Sequence, residues 1–356
     1  MTRVLIVSPS ITNKGGISTI VEYIKNDSAI DYKYYFISSH KDGNIIRKFL
    51  IFFLCIIKLI NFMCFKKIDI VHIHISEKGS VIRKNIIVKI CKFFNKKIIL
   101  HHHGAEFIKS FEKSSNKRKK KIIKMLRKVD LNIVLSQKTL NEYKEKFSIT
   151  NVDILYNAVN KQNYLYNVDG NIILFLGRLG ERKGVYDLLD AIEIINNKID
   201  SKYKFYLCGD GEIDKVKQIV HLKNLGKIVV VNGWVKKDDK QKIFKDTILN
   251  VLPSYNEGLP MTILETMSYG IPNIATNIAS IPEVVTNNTG FLLEPGDVNT
   301  LATILLKCLS DKKLLLSLSQ NSYKFINENF EIKKFYDNLH KIYRNVLFEG
   351  GQICNQ

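Results

Sequence analysis

The chain has 356 residues, of which 46% are hydrophobic and 25% charged, which is a globular composition and argues against disorder. Two domains are expected at this length rather than one. The net charge is +20, and residues 1–155 hold 30 Lys and Arg against 12 Asp and Glu, so the first half is strongly basic and the second nearly neutral. The six cysteines show no CxxC pairing, which argues against a zinc site or a disulfide framework.

Short runs rich in Val, Ile and Tyr alternate with helix-length segments along the whole chain. This alternation predicts parallel sheets covered by helices on both faces. The fold class is therefore α/β, with two Rossmann-like doubly wound domains. Strands are expected at 3–8, 33–38, 68–75, 97–103, 131–135 and 152–155, and then at 171–176, 203–208, 227–231, 249–252, 272–275 and 290–293.

The segment Ile45–Phe65 is very apolar but carries Arg47, Lys48 and Lys58. Its longest uninterrupted apolar run has nine residues, which is short of the ~20 that span a bilayer. We expect a buried helix of the α/β domain, and the alternative is a helix that also touches a membrane surface. The run KRKKK at 117–121 suits an anionic surface, although such a run is also typical of a solvated face.

The domain boundary is expected in the polar, Asn-rich stretch 156–170. This gives an N-terminal domain at 1–158, a C-terminal domain at 159–330, a helix at 331–349 that packs back on the first domain, and a tail at 350–356. The N-terminus enters a strand-like run directly, so we expect no signal peptide and a cytoplasmic protein.

The loop GRLGERKG at 177–184 follows an expected strand and opens a helix. It lacks both the GxGxxG spacing of dinucleotide sites and the GxxxxGK[ST] of phosphate-binding loops. Arg178 and Lys183 at a helix N-terminus suit a diphosphate. A solvated basic turn is the alternative.

Two carboxylates, Glu257 and Glu265, flank a helix start in the stretch NEGLPMTILETMSYG, where Pro260 fits the first turn. A nucleotide-sugar fits this layout, with its sugar at Glu257, its diphosphate over the helix start and its ribose at Glu265. The alternative is a pair of ordinary surface acids. Backbone N–H groups expected to face the ligand belong to Gly258, Leu259, Met261 and Thr262.

The motifs GRLGERKG, GDGE (209–212), GWV (233–235), EGLPMTILETMSYGIPNIAT and IPEVV together resemble the C-terminal half of the family-four retaining glycosyltransferases. The stretch DIVHIHISEKGSVIRKN (69–85), with HHHGAEF, is similar to a bacterial surface-polysaccharide assembly subgroup of that family. The resemblance implies the GT-B fold, in which two Rossmann-like domains face each other across a cleft. It also implies that Arg178 and Lys183 bind the donor diphosphate, Glu257 orients the sugar and Glu265 holds the ribose. The remaining donor contacts would involve Gly209 and the backbone around Trp234 and Val235.

In the first half, IILHHHGAEF ends a strand with three histidines, and alternation places His101 and His103 on one face and His102 on the other. Adjacent histidines alone are weak evidence for a metal, so none is expected. The resemblance implies that His103 lies near the transferred sugar, which completes a catalytic set with Glu257, Arg178 and Lys183. Residues expected at the donor loop are Gly15 and Gly16, and residues expected on the acceptor side are Ser80, Arg83 and Lys84.

The function implied is a retaining, metal-independent transfer without a cofactor. The donor is a nucleoside diphosphate sugar, expected to be UDP-linked, and the acceptor is a lipid-linked oligosaccharide in O-antigen, capsule or exopolysaccharide biosynthesis. The enzyme is expected to lie peripherally on the anionic inner face of the plasma membrane and not to bind nucleic acid. Alternatives are a glycolipid glycosyltransferase and a nucleotide-sugar epimerase; a dehydrogenase is disfavoured by the glycine spacing. Ala158 and Ala279 stand where relatives often have glycine, which leaves the donor's identity open.

Overall fold

The computed structural model describes residues 1–12, 15–41, 43–77 and 79–348, apart from the side chain of Lys237. The chain divides into two compact units. Unit 1 contains Met1–Asn157 and the last helix, and unit 2 contains Ala158–Glu331. The expected tail and the residues Asn13 and Lys14 of the expected donor loop lie outside the described residues.

Unit 1 is built on a six-stranded parallel sheet, which confirms the first six expected strands. The strand order β2-β1-β3-β4-β5-β6 places β1 at the point where the order reverses. Strands β1, β3, β4 and β5 are buried along most of their length and are largely apolar, whereas the edge strands β2 and β6 are only partly buried. They are β1 (Thr2–Pro9), β2 (Tyr32–His40), β3 (Ile70–Ile75), β4 (Lys97–His102), β5 (Leu131–Val134) and β6 (Val152–Ile154).

Helices form the crossover connections between these parallel strands. They are α1 (Gly16–Lys25), α2 (Ile45–Phe65), α3 (Gly79–Phe93), α4 (Phe107–Glu112), α5 (Asn116–Lys128) and α6 (Gln137–Phe147). In α5 the lysine-rich first turns are largely solvated because only Ile122, Met125 and Leu126 turn to the core. In α6 the Ser136 hydroxyl accepts a hydrogen bond from the Thr139 N–H at 3.1 Å, which caps the helix start.

Helix α2 is buried along one narrow face only, so the expectation of a buried helix is wrong for most of its surface. Cys55, Leu59 and Met63 are four residues apart and pack on the core of unit 1. By length and composition α2 could cross a membrane, although a core helix can also meet that criterion. Its exposed apolar side chains include Ile45, Ile46, Phe49, Leu50, Phe53, Leu54, Ile57, Ile60 and Phe65.

Unit 2 repeats the plan with a second six-stranded parallel sheet, in the order β12-β11-β10-β7-β8-β9. The other six expected strands are thereby confirmed. The strands are β7 (Ile172–Leu176), β8 (Lys204–Cys208), β9 (Val229–Gly233), β10 (Thr247–Leu252), β11 (Asn273–Thr276) and β12 (Gly290–Leu293). The helices are α7 (Val185–Ile195), α8 (Ile213–Leu222), α9 (Lys237–Lys245), α10 (Met261–Ser268), α11 (Val298–Ser310) and α12 (Lys312–Asn329).

The last helix, α13 (Ile332–Phe348), returns to unit 1. Tyr343 of α13 is fully buried and its hydroxyl lies 2.8 Å from Nδ1 of His72 on β3. His340 Nε2 lies 2.6 Å from a carboxylate oxygen of Asp27. These polar contacts fix α13 against the unit 1 sheet.

Candidate active site

The reversal of strand order in unit 2 falls between β7 and β10, which are adjacent parallel strands. In open α/β sheets, ligands bind outside the carboxyl ends of the strands at such a reversal. The loop after β7 carries Arg178 and Lys183, and the loop after β10 carries Glu257. The two loops touch, since the Tyr255 N–H donates to the Arg182 carbonyl at 2.9 Å. The fold therefore brings the two predicted motifs together.

Glycine is required where these loops approach each other. Gly184 has φ of +70°, and a Cβ there would lie 1.9 Å from the carbonyl oxygen of Pro253. A Cβ on Gly209, at the end of β8, would lie 1.7 Å from the carbonyl oxygen of Gly177. Any side chain at either position would push the loops apart. The spacing of the donor loops thus depends on backbone contact.

Glu257 and Lys183 form a nearly enclosed ion pair. The exposed fraction of the side chain is 7% for Glu257 and 15% for Lys183. The same carboxylate oxygen accepts a hydrogen bond from the Ser254 hydroxyl at 2.8 Å. Ser254 is itself fixed, because its carbonyl accepts from the Thr276 hydroxyl at 2.6 Å. Sequence reasoning predicted neither this direct pairing nor the role of Ser254 in holding the carboxylate.

Helix α10 begins at Met261, with Pro260 as its N-cap, so Pro260 lies one residue earlier than expected. The N–H groups of the first turn have no acceptor inside the helix. Together with the helix dipole they favour an anion. Gly258 and Thr262 are partly exposed, whereas Leu259 and Met261 bury their side chains and can offer only backbone atoms.

Glu265 lies on the second turn of α10 and has a lysine partner of its own. Lys240 on α9 approaches its Oε2 at 2.5 Å, and both side chains are about three-quarters enclosed, with exposed fractions of 25% for Lys240 and 23% for Glu265. Sequence reasoning missed Lys240, because nothing in its local sequence separates it from the other lysines of α9. Each carboxylate of the predicted pair is thus neutralised by a different lysine.

The other predicted donor residues line the same carboxyl edge of the sheet. Arg178 is exposed, and a Cβ on Gly211 would lie 3.0 Å from its side chain. Trp234 follows β9 and is half exposed, while Val235 packs its side chain against the apolar cluster around Phe244.

A cluster of histidines lies on one face of the unit 1 sheet. His74 and His101 are register partners on β3 and β4, and His72 and His103 extend the cluster on either side. His102 points to the opposite face, where it bonds Asn132 at 3.1 Å, which confirms the predicted alternation. Desolvation lowers the pKa of His72 and of His103 to about 3, so the imidazoles are neutral near pH 7.

Sequence reasoning missed His72 and His74, although the alternation HIHI in a buried strand is a visible signal. Ring nitrogens of His72, His74 and His101 lie within 4.8 Å of one another. A shared metal would have to lie in the plane of every ring that binds it. The planes of His72 and His74 are stacked at 12° and those of His72 and His101 at 23°. Nearly parallel ring planes do not meet within coordination distance, so His72 and His74 do not share one ion in this arrangement.

The residues expected on the acceptor side are less open than predicted. Lys84 is 1% exposed, and its ammonium donates to the Ser39 hydroxyl and to the Val7 carbonyl. The Ser80 hydroxyl is occupied by the Ser76 N–H at 3.2 Å, and Arg83 is only partly exposed. The physical reason is that α3 turns this face toward the carboxyl ends of β1 and β2. Lys84 is therefore out of reach of an acceptor in this structure.

The expected loop before α1 is described from Gly15 onward. Gly15 has φ of +132° and open space around its Cβ position, and Gly16 begins α1. The left-handed backbone at Gly15 requires glycine for conformation rather than for space.

Two units built on six-stranded parallel sheets, one of them with a paired-carboxylate site at its strand reversal, together have the architecture of the GT-B glycosyltransferase fold. Residues 156–325, which lie almost wholly in unit 2, match the family described as "Glycosyl transferases group 1". A protein of the cps region of Klebsiella pneumoniae, described as uncharacterized, is 28% identical over an alignment of 325 residues. The alignment covers 83% of this chain and 87% of that protein.

A second relative is the UDP-Gal:alpha-D-GlcNAc-diphosphoundecaprenol alpha-1,3-galactosyltransferase of Escherichia coli. It is 32% identical over 49% of this chain, and the match spans about half of that protein, 46% of its length. Among solved structures, the sucrose-phosphate synthase of Thermosynechococcus elongatus aligns with a TM-score of 0.81 at 16% identity, covering 97% of this chain and 99% of the other. This structural likeness establishes the fold.

Proposed function

We propose that this protein transfers a sugar, with retention of anomeric configuration, from a UDP-sugar to a lipid-linked oligosaccharide during assembly of a bacterial surface polysaccharide. The observation that carries the proposal is the enclosed Glu257–Lys183 pair at the strand reversal of unit 2. The activity named for the Escherichia coli relative and the cps-region origin of the Klebsiella relative support the donor class, the acceptor class and the pathway.

In this proposal, the cationic groups of the donor loops stabilise the diphosphate as it leaves. Lys183 has three donors, so its ammonium can bond a phosphate oxygen while it still bonds Glu257. Arg178 and the first turn of α10 add a planar fork and backbone donors. This is preorganised electrostatic stabilisation of developing negative charge.

The transferred sugar would hydrogen-bond Glu257 through its hydroxyls, and the ribose would do the same at Glu265. The acceptor hydroxyl attacks the anomeric carbon from the face that the diphosphate leaves, and the departing phosphate oxygen takes the acceptor's proton. The bond from carbon to the phosphate oxygen breaks as the bond to the acceptor oxygen forms, which retains configuration.

We propose that this transfer needs no divalent cation. Glu257 and Glu265 each pair with a separate lysine, so the two carboxylates do not converge on one ion. Retained turnover after treatment with EDTA is expected. A requirement for added Mn²⁺ in the EDTA-treated enzyme would refute this part of the proposal.

The acceptor would be met at the inner face of the plasma membrane. The exposed apolar side of α2 carries Lys48 and Arg47 at one end, and α5 adds its basic run, all within unit 1. Apolar and cationic groups on one unit favour an anionic lipid surface. A cytoplasmic enzyme docked peripherally is the localisation we propose.

The direct test is turnover across a panel of UDP-sugars with a diphospholipid-linked sugar as acceptor. Glu257→Gln should lower kcat about 100-fold, because the residue is assigned to the reacting sugar. A Glu193→Gln variant, at an exposed position of α7 in the same unit, is the matched control and should keep wild-type turnover. Unchanged turnover of Glu257→Gln would refute the site. An epimer formed from donor alone would instead support the epimerase alternative.

A further inference from the structure

His74 and His103 are joined by a hydrogen bond between two chain segments that the sequence separates. His74 lies on β3 and is 1% exposed, and His103 follows the end of β4. Nδ1 of His74 lies 2.8 Å from Nε2 of His103, and the two rings stack at 17°. The backbone N–H of His103 also donates to the Ile75 carbonyl at 2.9 Å, which fixes the backbone beside the ring.

One proton lies between the two nitrogens, and burial indicates which nitrogen carries it. Nε2 of His74 is buried and has no hydrogen-bond partner among the described residues. Buried N–H groups without an acceptor are rare in proteins, whereas an acceptor with an unused lone pair is tolerated more often. The bare nitrogen of His74 is therefore Nε2, and its Nδ1–H donates to Nε2 of His103.

The neighbouring pair of histidines follows the same rule. Nε2 of His101 is also buried without a partner, and Nδ1 of His101 lies 3.2 Å from Nε2 of His72. A proton on Nδ1 of His101 then donates to His72, whose Nδ1–H donates to the Tyr343 hydroxyl at 2.8 Å. With one ring proton on each imidazole, every hydrogen bond in the cluster has one donor and one acceptor, which supports the assignment for His74.

We infer that His74 is a positioning residue, which does not contact the substrate itself. It fixes His103 in the Nδ1–H tautomer and in one ring orientation. His103 then presents an N–H donor to a hydroxyl of the transferred sugar. The inference rests on the proposed function, together with the role near the transferred sugar that the sequence resemblance implies for His103. An imidazole whose Nε2 is occupied by a donor can keep its only proton on Nδ1. A donor that is already oriented needs no reorganisation when the sugar arrives.

The groups around His74 leave this arrangement neutral. The other imidazoles facing it belong to His72, His101 and His103, and Lys84 is the charged side chain that acts on it electrostatically. None of these groups is a carboxylate. A protonated His74 would therefore lack a counterion, which keeps its single proton on the nitrogen that donates.

The tautomer can be measured directly by ¹⁵N NMR of the full-length protein with labelled histidine. Nitrogen shifts separate protonated from bare ring nitrogens, and loss of signals in a His103→Gln variant assigns His103. The wild type should show His103 protonated at Nδ1. His74→Phe, which keeps a flat ring but lacks the donor, should mix the two tautomers of His103. His103 protonated at Nε2 in the wild type, or unchanged in His74→Phe, would overturn the inference.

Kinetics test the consequence for transfer. His74→Phe should lower kcat about tenfold, and His74→Asn, whose amide nitrogen takes the place of Nδ1, should stay within about threefold of the wild type. The effect of His74→Phe should disappear in a His103→Ala background, which a general packing defect would not produce. His72→Phe is the matched control: it removes a buried imidazole from the same strand and should leave the His103 tautomer unchanged.

The two hypotheses fail in different ways. If His103→Ala keeps wild-type turnover of a UDP-sugar, the catalytic part of this inference is overturned while the proposed function stands. If no nucleotide-sugar is turned over by the wild type, the proposed function fails, and the NMR measurement still decides whether His74 fixes His103. Equal losses for His74→Phe in both backgrounds would show a structural role only and would overturn positioning.

Discussion

Replacing Lys84 with methionine should stabilise the protein at neutral pH. The ammonium is 1% exposed and is bonded by the Ser39 hydroxyl and the Val7 carbonyl. Desolvation by burial lowers the pKa of Lys84 from 10.5 to about 7, and the charged groups that act on it include Arg83 but no carboxylate. Burial without a counterion disfavours the charged form.

The sign and size of the effect follow from linkage. The unfolded chain takes up this proton as the pH falls through about 10.5, and the folded protein does so only near pH 7. Stability is therefore lost as the pH falls from about 10.5 to 7 and is constant below, with a loss on the order of 5 kcal/mol at most. Methionine has similar length and removes the titration. Ser39 keeps a partner, since its hydroxyl donates to the Ser8 carbonyl at 3.0 Å.

We expect Lys84→Met to gain about 1–3 kcal/mol at pH 7, after the lost lysine hydrogen bonds are subtracted, and the gain should shrink toward zero near pH 10. Urea unfolding between pH 6.5 and 10 measures this. Lys89→Met, at an exposed position of the same helix α3, is the control and should change stability little at any pH. A Lys84→Met variant that is less stable at pH 7, with a difference that does not vary with pH, would refute the reasoning.

Three further outcomes follow from the structure. Glu265→Gln and Lys240→Met should each raise the donor KM about tenfold with little change in kcat. Because the two residues form one pair, the double variant should raise the donor KM by less than the two single effects combined. Additive effects on the donor KM would contradict the pairing. Ala279 has φ of +49°, so Ala279→Gly should raise the free energy of unfolding by up to about 1 kcal/mol in urea titrations; a lower stability would show that its methyl group packs usefully. Replacing the exposed Phe53 of α2 by Ser should weaken flotation with anionic liposomes, while Lys217→Ser on unit 2 should not; no binding of the wild type to any liposome would rule out the membrane surface.

Much of the fold could be predicted because its signals are local. A strand buried on both faces needs a short apolar run, and all twelve such runs form strands. Glu257 and Glu265 could be found for the same reason, since both lie in one contiguous stretch around a helix start. The loop with Lys183 required only a strand, glycines and basic residues in sequence.

What could not be predicted depends on which segments meet. His74 contacts His103 because β3 and β4 are adjacent with a particular register, and no local pattern states that register. Lys240 reaches Glu265 from another helix. The burial of α2 also escaped prediction, because an apolar composition does not specify what covers each face of a helix. Only the narrow face containing Leu59 meets the core.

The two carboxylates of unit 2 differ in how strongly their surroundings hold them. Glu257 is fixed by Lys183 and by Ser254, and Ser254 is fixed in turn by a neighbouring strand. Among the described residues, the Glu265 carboxylate is held by Lys240 alone, and it is about three times as exposed, with 23% against 7%. A rigid carboxylate suits the reacting sugar, where small displacements cost most rate. A carboxylate that can exchange one partner for ligand hydroxyls suits a group that only has to be bound. This difference in restraint, rather than the shared residue type, is why loss of Glu257 should appear in turnover and loss of Glu265 in donor binding.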